Sequence, residues 1–158
     1  MRASFLLIVF LLVAHTSTAQ ALGDERPACF RFDSGWTMVF HQDGSASLTR
    51  LHNPIPNWLL VNDRGRKQGG EKSEQVARAA AGTFDPVRIR REVEAAGKSS
   101  QTKPLVGFYF ANFCAPDMVL LPITPRLRQL FLQALAVFEN SDDPRLRKLL
   151  RKYPLLPD

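Results

Sequence analysis

Apolar and polar positions alternate through CFRFDSGWTMVFHQDGSASLTRLH, residues 29–52. A period of two predicts strands. Asp43-Gly44 at the centre predicts a hairpin turn, because both central positions of a type I′ turn take positive φ. With those two residues as the turn, Trp36 faces Leu51 and His41 faces Ala46. One face then carries Trp36, Met38 and Phe40 with Ser47, Thr49 and Leu51, and is the better core candidate. The other carries Thr37, Val39 and His41 with Ala46, Leu48 and Arg50. A three-residue bulged loop would move this register by one.

The pattern continues with NWLLVN, read as a strand after the stiff NPIPN. Polar DRGRKQGGEK reads as a loop, and Ser73 to Ala81 as an Ala-rich helix stopped at Gly82. Asp85-Pro86 supplies an N-cap and a proline at the first helical position, opening a helix that ends at Gly97. PLVGFYFANFC is the most strand-like run, aromatic on both faces and therefore expected at the centre of the sheet. Thr124-Pro125 repeats the cap-plus-proline signal. Behind it Leu127, Leu130, Phe131, Ala134, Leu135 and Phe138 follow the period of one helical face. Asp143-Pro144 opens a last helix carrying Leu146, Leu149, Leu150 and Tyr153, stopped by Pro154. The expected fold is α+β: a mainly antiparallel sheet with an N-terminal β-hairpin, packed by a C-terminal pair of amphipathic helices.

The first residues change the cellular picture. Arg2 precedes an apolar run from Phe5 to Ala14, and small residues lead to Ala19 and Ala21. This is the grammar of a secretory signal peptide, with residues 1–21 removed, and the run is shorter than the roughly 20 residues that a membrane span needs. Residues 22–158 then form one domain. The charge of +6 becomes +5 once Arg2 leaves with the signal. That surplus is too small for a dedicated nucleic-acid binder, and no nucleic-acid partner is expected. Cys29 and Cys114 are the only cysteines. In an exported chain their even number predicts a disulfide, closing a loop worth about 4–5 kcal/mol on the chain-entropy model. A secreted or periplasmic location follows.

Candidate chemistry is sparse. GRKQGGEKS, residues 65–73, resembles the spacing of a phosphate-binding loop, but Glu71 stands where that loop requires lysine. A carboxylate there would repel the phosphates, so the stretch reads as a surface loop. The mature chain keeps His41 and His52, at opposite ends of the expected hairpin and about 20 Å apart. They cannot share a metal or act as a direct pair. No serine sits in a nucleophile elbow, and the carboxylate pairs Glu71 with Glu74 and Asp142 with Asp143 lie in no cleft-like context. Arg88 with Glu92 and Arg90 with Glu94 read as a solvated helix face. No catalytic constellation, metal site or cofactor motif is expected.

The end of the chain is the most suggestive feature. Arg145, Arg147, Lys148, Arg151 and Lys152 surround the leucine stripe of the last helix and are candidate anion- or partner-binding residues. Such a helix docks its stripe on the core, lies on an anionic membrane surface or polymer, or meets an acidic partner. The sequence therefore leads to a small exported binding or inhibitory module acting through protein–protein contacts outside the cytoplasm. Two alternatives stand beside it. One is a small exported enzyme whose dispersed site recruits His41 or His52. The other is an envelope-associated protein held by the basic helix to anionic lipid or polymer.

Overall fold

The computed structural model describes residues 26–52, 54, 56–62, 73–111, 118–140 and 143–158. The signal segment, Cys114, Asp142 and nearly all of the GRKQGGEKS stretch lie outside the described residues. The fold is α+β. Six strands, β1 (Ala28–Arg31), β2 (Trp36–Phe40), β3 (Ala46–Leu51), β4 (Ser73–Ala79), β5 (Leu105–Phe110) and β6 (Val119–Pro122), form one sheet. Its order is β4-β3-β2-β1-β5-β6, and every neighbouring pair is antiparallel. Among the described residues four helices accompany it: α1 (Asn57–Asn62), α2 (Pro86–Gly97), α3 (Pro125–Glu139) and α4 (Pro144–Lys152).

The core lies on the sheet face that carries Phe30, Trp36, Met38, Phe40, Leu48 and Phe108, packed under α2, α3 and α4. Phe131 of α3 is its central knob. Its ring meets Phe30 at 4.9 Å and Phe32 at 5.0 Å, both edge to face. Three helix starts follow the expected chemistry, each with a proline in the first turn. Asp85 accepts from the N–H of Val87 at 3.0 Å, Thr124 from Leu127 at 3.2 Å, and Asp143 from Arg145 at 2.9 Å. Each bond satisfies a donor that the helix itself leaves open.

The hairpin register differs from expectation. Trp36 pairs with Arg50 and Phe40 with Ala46, one step from the type I′ reading. The N–H of His41 donates to Ser45 O at 2.9 Å and that of Gly44 donates to His41 O at 3.1 Å. Only Gly44 takes positive φ, at 80°, while Asp43 does not. The loop is thus the three residues Gln42, Asp43 and Gly44, with the carboxylate of Asp43 accepting from Ser45 N and Oγ at 2.9 and 2.6 Å. Those two bonds favour a turn with Asp43 at negative φ. The shift puts Ala46, Leu48 and Arg50 on the core face with Trp36, Met38 and Phe40, and moves Ser47 and Thr49 to the other face.

Two further elements exchange identity. Ser73–Ala79, expected as a helix, is the edge strand β4, pairing with β3 through a register shift between Leu48 and Thr49. Helix propensity among alanines is a weak preference, and the open hydrogen-bonding edge of β3 outweighs it. NWLLVN, expected as a strand, is α1. A six-residue apolar run carries no period long enough to choose, and tertiary bonds decide it. Asp33 Oδ1 accepts from Asn57 N at 3.1 Å, and Asn57 Nδ2 donates to the carbonyl of Arg31. Asn57 sits over Gly107 of β5, where a Cβ would approach Met118 Sδ within 2.7 Å and Asn57 Cγ within 3.0 Å. Within α2, Glu92 is buried rather than on the solvated face expected for it.

Candidate functional site

The far end of the sheet from the hairpin loop gathers chain from five places: the β1–β2 turn, α1, the approach to β5, the exit of β6 and the C-terminal tail. Together Phe32, Trp58, Pro104, Leu105, Ile123 and Leu155 line a cleft of about 500 Å³, with Asp33, Lys103 and Asp158 as its charged groups. Its walls are tied to one another. The N–H of Ile123 donates to Pro104 O at 2.8 Å, and Gln101 Nε2 reaches Ile123 O at 2.9 Å and Lys103 O at 3.0 Å. Ser34 Oγ donates to Leu155 O at 3.4 Å. Trp58 stands in this wall 56% exposed, whereas Trp36 is fully buried.

The tail that closes this cleft also closes a second. Leu132 and Leu135 of α3, Leu150 of α4, and Leu155 and Leu156 of the tail line a groove of about 440 Å³. Its charged lining is Arg128, Arg147, Arg151 and Glu139. The tail is fastened from three sides. Trp36 Nε1 donates to Tyr153 O at 2.8 Å, Arg128 Nη1 donates to Pro157 O at 3.3 Å, and Leu155 is buried. Arg50 lies over the Tyr153 ring and donates through Nη1 to Ser34 O. The adjoining Lys152 cation, as hydrogen-bond donor and charge, holds the Tyr153 phenol below its ordinary pKa.

The five basic residues expected to act together are divided. Arg147 and Arg151 line the groove. Arg145 pairs with Glu74 of β4 at 2.7 Å, an exposed ion pair worth about 0.2–1 kcal/mol. Lys152 sits over the Tyr153 ring at 5.2 Å, and Lys148 is exposed. The leucine stripe of α4 is used internally, with Leu146 and Leu150 buried in the core. A membrane surface could reach that stripe only after the helix undocked.

The histidines remain apart. His41 opens the hairpin loop, half-buried, and His52 is exposed beyond the end of β3. The carboxylate nearest His41 in sequence is Asp43, held below its usual pKa chiefly by the Ser45 hydroxyl and then by the Ser45 N–H. Neither histidine lines the two clefts. Among the described residues no group of three or more His, Cys, Asp or Glu is placed to hold a metal ion, and no helix is long and apolar enough to cross a membrane.

Cys29 stands as a buried thiol facing Tyr109 across the β1–β5 ladder. Burial pushes its pKa up to about 11 against the hydrogen bonds of Tyr109 and Ala111. Its expected partner, Cys114, lies outside the described residues.

Sequence reasoning missed Trp58, because its run reads as a strand and a strand gives no reason to single the residue out. It also missed the flank of α3 beside the core stripe, where Arg128, Leu132 and Glu139 recur at helical spacing with Leu135 of that stripe. The chain matches no family model, no curated protein and no solved structure.

Proposed function

We propose that this protein is a small exported binding or inhibitory module that acts by contact with another protein, and that Trp58 anchors the contact. On this reading the leader is removed after Ala21 and Cys29 is bridged to Cys114. The observation that carries the proposal is the half-exposed indole set into an apolar cleft. A single exposed apolar side chain is ordinary on a protein surface. Trp58 differs because Phe32, Pro104, Leu105 and Ile123 continue its apolar surface into a recess. Covering such an indole is worth about 1.5–3 kcal/mol, and tryptophan is enriched among residues that dominate protein interfaces. The hydrogen-bonded walls reduce the ordering that binding must oppose. Asp33, Lys103 and Asp158 supply a polar rim that orients a partner without forming a catalytic group.

The test is capture from native extract on immobilised, oxidised mature protein, in parallel with its Trp58→Ala variant. Bound material is identified by mass spectrometry at low and at moderately high salt. One protein held near stoichiometry by the wild type at high salt, and lost from the variant, supports the proposal. Equal retention on both columns counts against Trp58. Retention of only lipid or polyanion, released by salt, would favour the envelope-associated alternative.

A further inference from the structure

The groove between α3, α4 and the tail is a separate surface with its own chemistry. Its α3 wall reads Arg128, Leu132, Leu135, Glu139, offsets of 0, 4, 7 and 11. At 1.5 Å per residue that wall is about 16 Å long, three turns of helix. The opposite side presents Arg147, Leu150 and Arg151. Charge is uneven along it. Arg147 in the first turn of α4 and Glu139 in the last turn of α3 both line it. Arg128 in the first turn of α3 and Arg151 in the last turn of α4 also line it, and Arg128 is located by its bond to Pro157 O. Among the described residues, three guanidinium groups thus border a leucine floor that has one carboxylate.

The geometry points to a docking site for an acidic amphipathic helix of a partner protein, its leucine-type face on Leu132, Leu135, Leu150 and Leu156 and its carboxylates toward Arg128, Arg147 and Arg151. Three features select this occupant. The first is charge complementarity, since arginine forks bind carboxylates in pairs and a basic partner would meet like charge. The second is length, because about 16 Å accepts some eleven helical residues, the span over which an i, i+3, i+7 anchor set repeats. The third is depth. Leu132 is 47% exposed at the rim, while Leu135 is half-buried and Leu150 buried on the floor. A protruding helix reaches such a floor and a flat lipid surface does not. The inference deepens the binding-module reading, but it rests on different residues and fails separately from the Trp58 contact.

The probe is a capped 14-residue helical peptide with leucines along one face flanked by glutamates, labelled for fluorescence anisotropy. Its companions are a lysine-for-glutamate isostere, a version broken by two central prolines, and phosphatidylglycerol vesicles scored by sedimentation. The targets are the mature protein, Arg147→Glu with Arg151→Glu, Leu132→Ser, and Trp58→Ala. The substituted side chains are exposed, so each variant should fold, which circular dichroism checks. The acidic peptide should bind saturably. The double charge reversal should weaken it about tenfold and Leu132→Ser several-fold. The lysine and proline peptides should bind at least about tenfold more weakly, and Trp58→Ala should change nothing. Absence of saturable binding overturns the inference, as does equal binding of the lysine or proline peptide. Binding lost only in Trp58→Ala would move the peptide to the other cleft, and vesicle binding without peptide binding would assign the arginines to lipid; either result overturns it too.

Discussion

Arg50 of β3 lies against the face of Tyr153, its Cζ 3.8 Å from the ring centroid, so a strand laid down early in the chain grips the residue that ends α4. Trp36 shares the grip, its own ring 5.4 Å from the same guanidinium and its Nε1 bonded to Tyr153 O. Arg50 is buried. A cation over an aromatic face contributes about 0.5–2 kcal/mol, and the hydrogen bond of a charged group to a carbonyl about 1.5–3 kcal/mol. Arg50→Met, which keeps the stem and removes the fork, should therefore cost about 2–4 kcal/mol in urea denaturation. It should also raise hydrogen exchange in residues 153–158. An unchanged midpoint would mean that the tail is held by its other hydrogen bonds and by packing, without Arg50.

Gly44 joins two turns. Its carbonyl accepts from Phe84 N at 2.9 Å, and the Asp43 carbonyl accepts from Gly82 N at 2.8 Å. Its φ is 80°, and a Cβ there would sit 2.6 Å from the Phe84 carbonyl oxygen. Gly44→Ala should cost about 2–3 kcal/mol through left-handed strain plus displacement of the neighbouring turn, read from thermal or urea unfolding. A loss below 0.5 kcal/mol would contradict the three-residue loop.

Cys29 gives a pH test that depends on its redox state. The folded thiol is raised from 9.0 to about 11. A raised pKa stabilises the fold fully below the unfolded value and loses that contribution as pH climbs through the folded one. Reduced protein should therefore lose about 2–3 kcal/mol between pH 9 and 11 relative to a Cys29→Ala control. Oxidised protein, if Cys29 and Cys114 are bridged as proposed, should lack this window. Thiol titration of the unreduced, denatured chain should then find no free sulfhydryl.

How legible each element was follows from how locally its identity is decided. Asp85-Pro86, Thr124-Pro125 and Asp143-Pro144 set their helix starts within three residues, and the starts are where the sequence places them. The buried stripe from Leu127 to Phe138 is likewise a property of one helix. Ser73–Ala79 and Asn57–Asn62 take their states from β3 and from Asp33 and Arg31, which their own residues do not reveal. The hairpin register turned on whether Asp43 or only Gly44 takes positive φ, and Ser45 supplied the two bonds that decided it. The basic residues of α4 were visible as a cluster. Their division between the groove and a bond to β4 required the neighbours in space, as did the setting of Trp58.

Because Trp58 is exposed, its contribution to stability should be small: Trp58→Ala should shift unfolding by less than about 0.5 kcal/mol. Any loss of partner binding in that variant would then report the contact and not the fold.

The most direct measurement of the central claim is acrylamide quenching of tryptophan fluorescence in the free protein and in complex with the captured partner. The chain has two tryptophans, one buried and one exposed, so the quenchable emission of the free protein belongs to Trp58. With a tryptophan-free partner, or one whose own emission is subtracted, the account predicts that complex formation removes this component and shifts the emission to shorter wavelength. Undiminished quenching of Trp58 in an intact complex would contradict it and place the contact elsewhere on the surface.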